Sequence, residues 1–288
     1  MPSNPSDESS LLAKILRRKR EDVAELLRTR TEDSIHNSAL RVRGKAEPNR
    51  LRKALAAKKP GLKIIAEYKR RSPSKGIIRE DLSPADAASI YEKAGACAIS
   101  VLTEKHFFGG SIDDLLEICA ITTLPVLRKD FIIHPAQIFE AAEAGADAVL
   151  LIAAVLDDEM LRELRSIAEA ELGLDALVEV HTEKEMERAA NCGAQIIGVN
   201  NRDLTTFEVS LSTSEALVCR APEHALLISE SGLSRADELS RLRALGFDGF
   251  LIGASLMQSE NPGDALQKLF ETCRGRPATA LRPDRNAN

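Results

Sequence analysis

Three short segments of this chain are near-copies of one another: AGACAIS at 94–100, AGADAVL at 144–150 and CGAQIIG at 192–198. Each joins the end of a helical pattern to an apolar strand through a glycine. The chain is therefore built from one repeated module of strand, polar turn, capped amphipathic helix and glycine stop. Predicted strands are Leu62–Tyr68, Cys97–Leu102, Pro125–Leu127, Ala148–Ile152, Ala176–Val180, Gln195–Val199, Ala225–Ser229 and Gly249–Ile252. They are apolar on both faces rather than alternating, as a parallel sheet covered by helices requires. Helix starts are signalled by Ser83-Pro84, Ser111 with Asp114, Thr182 with Glu185, Ser234 with Asp237, and Asn261-Pro262. Stops are signalled by Gly95, Gly145, Gly173, Gly193 and Gly246. Eight strands, each followed by a helix, predict a (β/α)8 TIM barrel. An open doubly wound sheet would place G-x-G-x-x-G after its first strand, where this chain reads EYKRRSP.

Ahead of the barrel, Leu12, Ile15, Leu16, Val23, Leu26 and Leu27 repeat at helical spacing and predict a helix over 11–27. A second short helix is expected over Leu51–Ala57 with Asn49 as its N-cap. The basic run Arg17-Arg18-Lys19-Arg20 reads as a solvated helix face rather than an anion site. The plan is a flexible N-terminus at 1–10, one barrel domain over 11–272 with its helical extension inside 11–57, and a flexible tail at 273–288.

Composition narrows the function classes. Thirty-nine Lys and Arg against 44 Asp and Glu leave a net charge of −5, so no global field draws nucleic acid or an anionic membrane. Aromatic residues are 3% with no Trp, which disfavours a base-stacking platform. The longest uncharged apolar run, Ala148–Leu156, has nine residues, against ~20 for a membrane span. The opening MPSNPSDESS has neither the basic nor the apolar region of a signal peptide. Five widely spaced cysteines (97, 119, 192, 219 and 273) fit unpaired thiols in a cytoplasmic enzyme better than a disulfide frame or zinc site.

In a barrel of this kind the active site lies at the C-terminal mouth, so only strand ends and the loops after them matter. Strand 1 ends in Glu67, Lys69 and Ser72; strand 3 in Arg128, Lys129, Asp130 and Phe131; strand 5 in Glu179 and His181. Strand 6 ends in Asn200, Asn201, Arg202 and Asp203, strand 7 in Glu230, Ser231 and Gly232, and strand 8 in Gly253 and Ala254. The small residues after strands 7 and 8 let backbone N–H groups approach an anion, and the helical turn opening at Gly253 adds a dipole, so a phosphate cup is expected there. Lys69, Lys129 and Arg202 converge with Glu67 and Glu179 in one mouth. There a lysine crowded by cations would drop in pKa and donate a proton near neutrality. Structural ion pairs closing the barrel end are the alternative. His181 has an orienting rather than catalytic place, and no histidine shows metal-ligand spacing, so no metal or cofactor is implied. Phe107, Phe108 and Phe131 are core or lid residues, or walls for an aromatic ring.

The segments AEYKRRSPSKG, SVLTEKHFFGGS, LPVLRKDFI, LVEVHTEKE, GVNNRDL, LISESG and GFLIGASLM, in that order, resemble those of the indole-3-glycerol-phosphate synthase family, from about Leu11 through Phe270. E-x-K-x-x-S-P-S combined with L-R-K-D-F is specific to it. The resemblance implies a (β/α)8 barrel with an N-terminal helical extension. It also implies the cofactor-free conversion of 1-(2-carboxyphenylamino)-1-deoxy-D-ribulose 5-phosphate to indole-3-glycerol phosphate, CO2 and water, in tryptophan biosynthesis. By the same resemblance, Lys129 is the general acid and Glu179 the general base. Lys69 is a second catalytic lysine held by Glu67, and Asn200 orients the reacting groups. Arg202 and Ser72 anchor the substrate, Phe108 and Phe131 wall its anthranilate ring, and Ser231, Gly232, Gly253 and Ala254 hold its phosphate. The family often has Ser where this chain has Ala254; a backbone N–H contact tolerates the change. The implied partners are a small phosphorylated substrate and other tryptophan-pathway enzymes. A Schiff-base aldolase, phosphoribosylanthranilate isomerase and a non-enzymatic phosphate-ligand barrel are the rival readings.

Overall fold

The computed structural model describes residues 10–58, 61–203 and 206–274. Eight parallel strands close into a barrel: β1 (Ile64–Tyr68), β2 (Ala98–Leu102), β3 (Val126–Lys129), β4 (Ala148–Ile152), β5 (Asp175–Val180), β6 (Ile196–Asn200), β7 (Leu226–Glu230) and β8 (Gly249–Ile252). Each strand pairs with its sequence neighbours, and β1 pairs with β8 to close the ring. The predicted strands all appear, with one useful shift. β3 runs on through Arg128 and Lys129, and β6 and β7 run on through Asn200 and Glu230, so these polar residues sit on rigid strand rather than in loops.

The outer ring of helices is placed by the predicted punctuation. Ser83, Ser111 and Thr182 each accept a hydrogen bond from the backbone N–H three residues on. Gly95, Gly145, Gly173, Gly193 and Gly246 all have positive φ, the left-handed stop that glycine enters without a Cβ clash. One start is displaced. Helix Ala236–Leu245 is capped at Arg235 rather than Ser234, with Glu238 accepting from the N–H groups of both.

The N-terminal extension has three helices, α1 (Leu11–Thr29), α2 (Glu32–Arg43) and α3 (Arg50–Ala56). α2 was absent from the sequence reading. Its interior, HNSALRVR, is too polar to show a stripe. Its signals are local: a Thr31 N-cap, acidic Glu32 and Asp33 in the first turn, and buried Ile35 and Ala39 one turn apart. α2 packs on the helix Pro135–Glu143, and Arg30, between α1 and α2, grips Glu143 through two hydrogen bonds of 2.6 and 3.0 Å. Asn49 does not cap α3 with its side chain. It takes a left-handed conformation (φ 56), and Asp175 at the start of β5 caps the helix instead, accepting from Arg52 N–H at 2.9 Å.

Below its uppermost layer the barrel interior is apolar. Leu51 and Leu55 of α3 fill its base against Ile65, Leu127, Leu177 and Ile228, and Ile15 of α1 joins the same cluster at the top. Lys19 also departs from expectation. It is buried and pairs with Asp130 at 2.8 Å, fastening α1 beside the mouth. The termini expected to be flexible lie outside the described residues, except Ser10, which caps α1, and the end of the last helix, Pro262–Arg274.

Candidate active site

Side chains on a strand alternate between faces, and in an eight-stranded barrel alternate strands contribute to one layer. Ile65, Leu127, Leu177 and Ile228 form such a layer from the odd strands. Two residues further along the same strands stand Glu67, Lys129, Glu179 and Glu230. The uppermost layer of the core is thus entirely ionisable. The even strands make room for it with glycine. A Cβ on Gly198 of β6 would lie 2.0 Å from Glu230 Oε1, and a Cβ on Gly253, after β8, would lie 2.2 Å from Glu67 Oε1.

Lys129 is the centre of the layer. Its Nζ lies 3.0 Å from Glu179 Oε2 and 3.3 Å from Glu230 Oε2. Burial works against its charge, but Glu179, Glu230 and Glu67 outweigh burial and hold the ammonium well above the usual lysine range. This reverses the expectation that crowding by cations would lower its pKa; its neighbours are carboxylates. Burial also opposes the charge of Glu179, and Lys129 and His181 overcome it, keeping that carboxyl below its ordinary value. His181 Nε2 stands 3.5 Å from Glu179 Oε1, and its Nδ1 is 3.2 Å from Glu185. Burial lowers the His181 pKa, but Glu185 and Glu179, with Glu230, outweigh burial and hold it above its ordinary value. Lys69 pairs directly with Glu67. Asn200 hydrogen-bonds Glu179, and its Oδ1 accepts from Arg202 N–H at 3.0 Å.

Glu230 stood among the strand-end residues but carried no role in the sequence reading. Its two carboxylate oxygens are buried and have no hydrogen-bond partner among the described residues, although Lys129 is near. Burial pushes its carboxyl up to about 7, with Glu179 and Glu67 adding to the rise. A group that exchanges its proton near neutrality is suited to acid–base work.

Above the layer lies a cavity of about 410 Å³, bordered by every residue to which the family resemblance gave a catalytic or binding role, but not by Arg128, His181, Asn201 or Asp203. Phe108 and Phe131 form one wall, with ring centroids 6.3 Å apart. Phe107 is not on the lining. Leu12 and Ile15 of α1 face the same space. The Phe108 loop is fixed from inside by Glu104, fully buried, whose carboxylate accepts from the N–H groups of His106, Phe107 and Phe108 at 3.1, 2.6 and 3.0 Å. Opposite the rings are Ser231, Gly232, Gly253 and Ala254. The helix after Gly253 has only four residues, Ala254–Met257, so individual N–H groups rather than a helix dipole are what this corner offers an anion. Arg202 completes the polar side, donating to Phe207 O at 2.9 Å.

The family model for indole-3-glycerol phosphate synthase matches residues 12–269. The chain belongs to the indole-3-glycerol phosphate synthase family. Enzymes of this family are decarboxylating lyases of tryptophan biosynthesis. Relatives bearing that name include one from Polaromonas naphthalenivorans, 43% identical over 91% of this chain and 99% of the relative. Another, from Desulfotalea psychrophila, is 46% identical over the same shares. Among solved structures, thiamine phosphate pyrophosphorylase from Pyrococcus furiosus superposes with a TM-score of 0.56 at 17% identity, covering 74% of this chain and 96% of that one. That likeness concerns the barrel alone.

Proposed function

We propose that this mouth converts 1-(2-carboxyphenylamino)-1-deoxy-D-ribulose 5-phosphate to indole-3-glycerol phosphate, CO2 and water, and that the ionisable layer does the chemistry. The observation that carries the reading is the conjunction of that layer with an aromatic wall on one side and small strand-end residues on the other. A ring-bearing phosphosugar has one such group at each end and its reacting atoms between them. The anthranilate ring lies against Phe108 and Phe131, and its phosphate on the N–H groups of Ser231, Gly232, Gly253 and Ala254. Arg202 and Ser72 anchor the polar substituents.

Ring closure joins the aromatic carbon to the ketone carbon and drives an electron pair onto the ketone oxygen. The Lys129 ammonium hydrogen-bonds that oxygen and protonates it. Glu230 stands beside Lys129 and can return the proton to it. Loss of CO2 leaves its electron pair in the ring. Dehydration then removes a hydroxyl, protonated by a lysine, and a proton from carbon, taken by a carboxylate. Glu179, kept ionised by Lys129 and His181, suits the base, and Asn200 orients it. Lys69, held by Glu67, is the second ammonium within reach.

The same ion pairs weigh against an aldolase. A Schiff-base lysine must be neutral to attack a carbonyl, and Lys129 is held firmly charged. The four described cysteines are free thiols, and burial pushes Cys97 and Cys119 up to about 12, so neither is a ready nucleophile. Unpaired thiols suit the cytoplasm, where other enzymes of tryptophan synthesis would supply the substrate and take the product. No helix of the described residues is long and apolar enough to cross a membrane. The test is direct: mixing the protein with the substrate should generate indole fluorescence. Lys129→Ala and Glu179→Gln should each cost ~10²-fold or more in turnover. A borohydride-trapped adduct on Lys69 or Lys129 would instead establish the aldolase reading.

A further inference from the structure

Ser231 has φ 64, in the left-handed region that a residue with a Cβ enters only under constraint. Asn201, one residue past the end of β6, supplies the constraint. It is 2% exposed, and its Nδ2 lies 2.9 Å from Glu230 O, 3.1 Å from Ser231 O and 3.0 Å from Ser229 Oγ. Its own backbone N–H also donates to Glu230 O at 2.9 Å. The amide orientation is fixed, because Oδ1 accepts from Ser214 N–H at 3.1 Å and the nitrogen must therefore face the carbonyls. In a trans peptide the C=O and the following N–H point in opposite directions. Gripping the carbonyls of Glu230 and Ser231 therefore turns the N–H groups of Ser231 and Gly232 away from Asn201. Among the described residues neither N–H meets an acceptor, and both residues border the cavity.

We propose that Asn201 is a positioning residue that sets the orientation of the Ser231 and Gly232 N–H groups toward the phosphate of the substrate. This rests on the phosphate-cup reading above. Asn201 does not touch the substrate; it acts by making the left-handed turn at Ser231 the stable one. Without it, the two peptide planes can rotate and the cup loses its donors.

The experiment uses the full chain as wild type, Asn201→Ala, Asn201→Asp, Ser231→Gly and the Asn201→Ala/Ser231→Gly double variant. It reads kcat, KM and inhibition by inorganic phosphate. Asn201→Asp keeps the shape and the acceptor for Ser214 but loses the donors, so it stands in if the alanine variant does not fold. Either variant should raise KM and weaken phosphate inhibition about tenfold, with a smaller change in kcat. Glycine takes the left-handed conformation without a Cβ penalty, so the double variant should recover at least about threefold of that loss over Asn201→Ala. Phosphate inhibition within about twofold of wild type in the Asn201 variants would overturn the proposal. So would strictly additive effects in the cycle, or failure of both variants to fold, which would make Asn201 a residue of the fold alone. If inorganic phosphate does not compete with substrate in the wild type, the cup reading itself fails.

Discussion

Glu230 lies where burial opposes its charge while Lys129, 3.3 Å away, supports it, and burial prevails. Its carboxyl moves from 4.5 to about 7. A folded-state pKa above the unfolded one means that the native state holds the proton more tightly. The associated stability is present below pH 4.5 and is lost as pH rises through about 7. Glu230→Gln removes that dependence. Relative to wild type, the variant should gain stability between pH 5 and pH 8, by at most about 3 kcal/mol. Denaturant unfolding at the two pH values measures it, and a relative loss would contradict the assignment. Turnover should fall even as stability rises, because the exchangeable proton is gone. A second outcome follows from Gly198, where a Cβ would stand 2.0 Å from the Glu230 carboxylate. Gly198→Ala should cost ~1–3 kcal/mol in unfolding free energy and most of the turnover, through displacement of that carboxylate. The sequence placed Glu230 at a strand end of the mouth without a role and gave Gly198 none. Lys129 and Glu179 take their roles from the motifs they match, whereas Glu230, within LISESG, took none, because its burial beside Lys129 shows only in three dimensions. Gly198 looks like an ordinary strand glycine until the layer geometry shows what it accommodates.

At the scale of elements, α1 turns a spatial arrangement into a site. Its Ile15 and Leu12 border the cavity, and its Lys19 reaches Asp130, the residue between Lys129 and Phe131. Burial works against the charge of Asp130, but Lys19 and Arg128 outweigh it and bring its carboxyl down to about 2. Asp130 in turn accepts from Phe131 N–H at 2.8 Å and from Thr103 Oγ1 at 2.7 Å, so the pair sets the aromatic wall. A depressed carboxyl contributes stability above its unfolded pKa of 3.8, lost as pH falls through about 2. Lys19→Met should therefore destabilise the protein by ~2–4 kcal/mol at neutral pH. It should also move the midpoint of acid unfolding to higher pH and raise KM severalfold. An unchanged acid midpoint would show that Arg128 alone holds Asp130. The repeated module made the strands and most barrel helices plain in the sequence, because caps and glycine stops are local chemistry. The role of Lys19 was not plain, because its place on the apolar stripe, four residues from both Ile15 and Val23, predicts burial but not the Asp130 carboxylate that receives it.

The whole molecule separates its two ends. The mouth is lined with charge, and its strand ends carry strain at Ser231 and a buried carboxylate at Glu230 that has Lys129 as its ion-pair partner. The base is apolar and closed by α3, whose Leu51 and Leu55 are almost completely buried. Leu55 fits so closely over the start of β8 that a Cβ on Gly249 would come within 2.9 Å of its Cδ2. Since α1 and α3 belong to one continuous extension, truncations of the N-terminus would confound the two ends; point substitutions keep them apart. Leu51→Ala leaves a cavity beneath the lower core layer and should cost ~2–5 kcal/mol, the range for a buried leucine whose surroundings only partly relax. Leu51 does not border the cavity, and the layer of Ile65, Leu127, Leu177 and Ile228 stands between it and the ionisable residues, so KM and kcat measured well below the melting temperature should stay within about twofold of wild type. The converse holds at the mouth, where Glu230→Gln should lower turnover while relieving a buried carboxylate of its desolvation. The test is a plot of unfolding free energy against kcat/KM for substitutions at both ends. Leu51→Ala is expected to be low in stability with its activity kept, and Glu230→Gln low in activity with its stability kept. A single diagonal would mean that the barrel transmits packing changes along its axis, and that the base is part of the catalytic machinery.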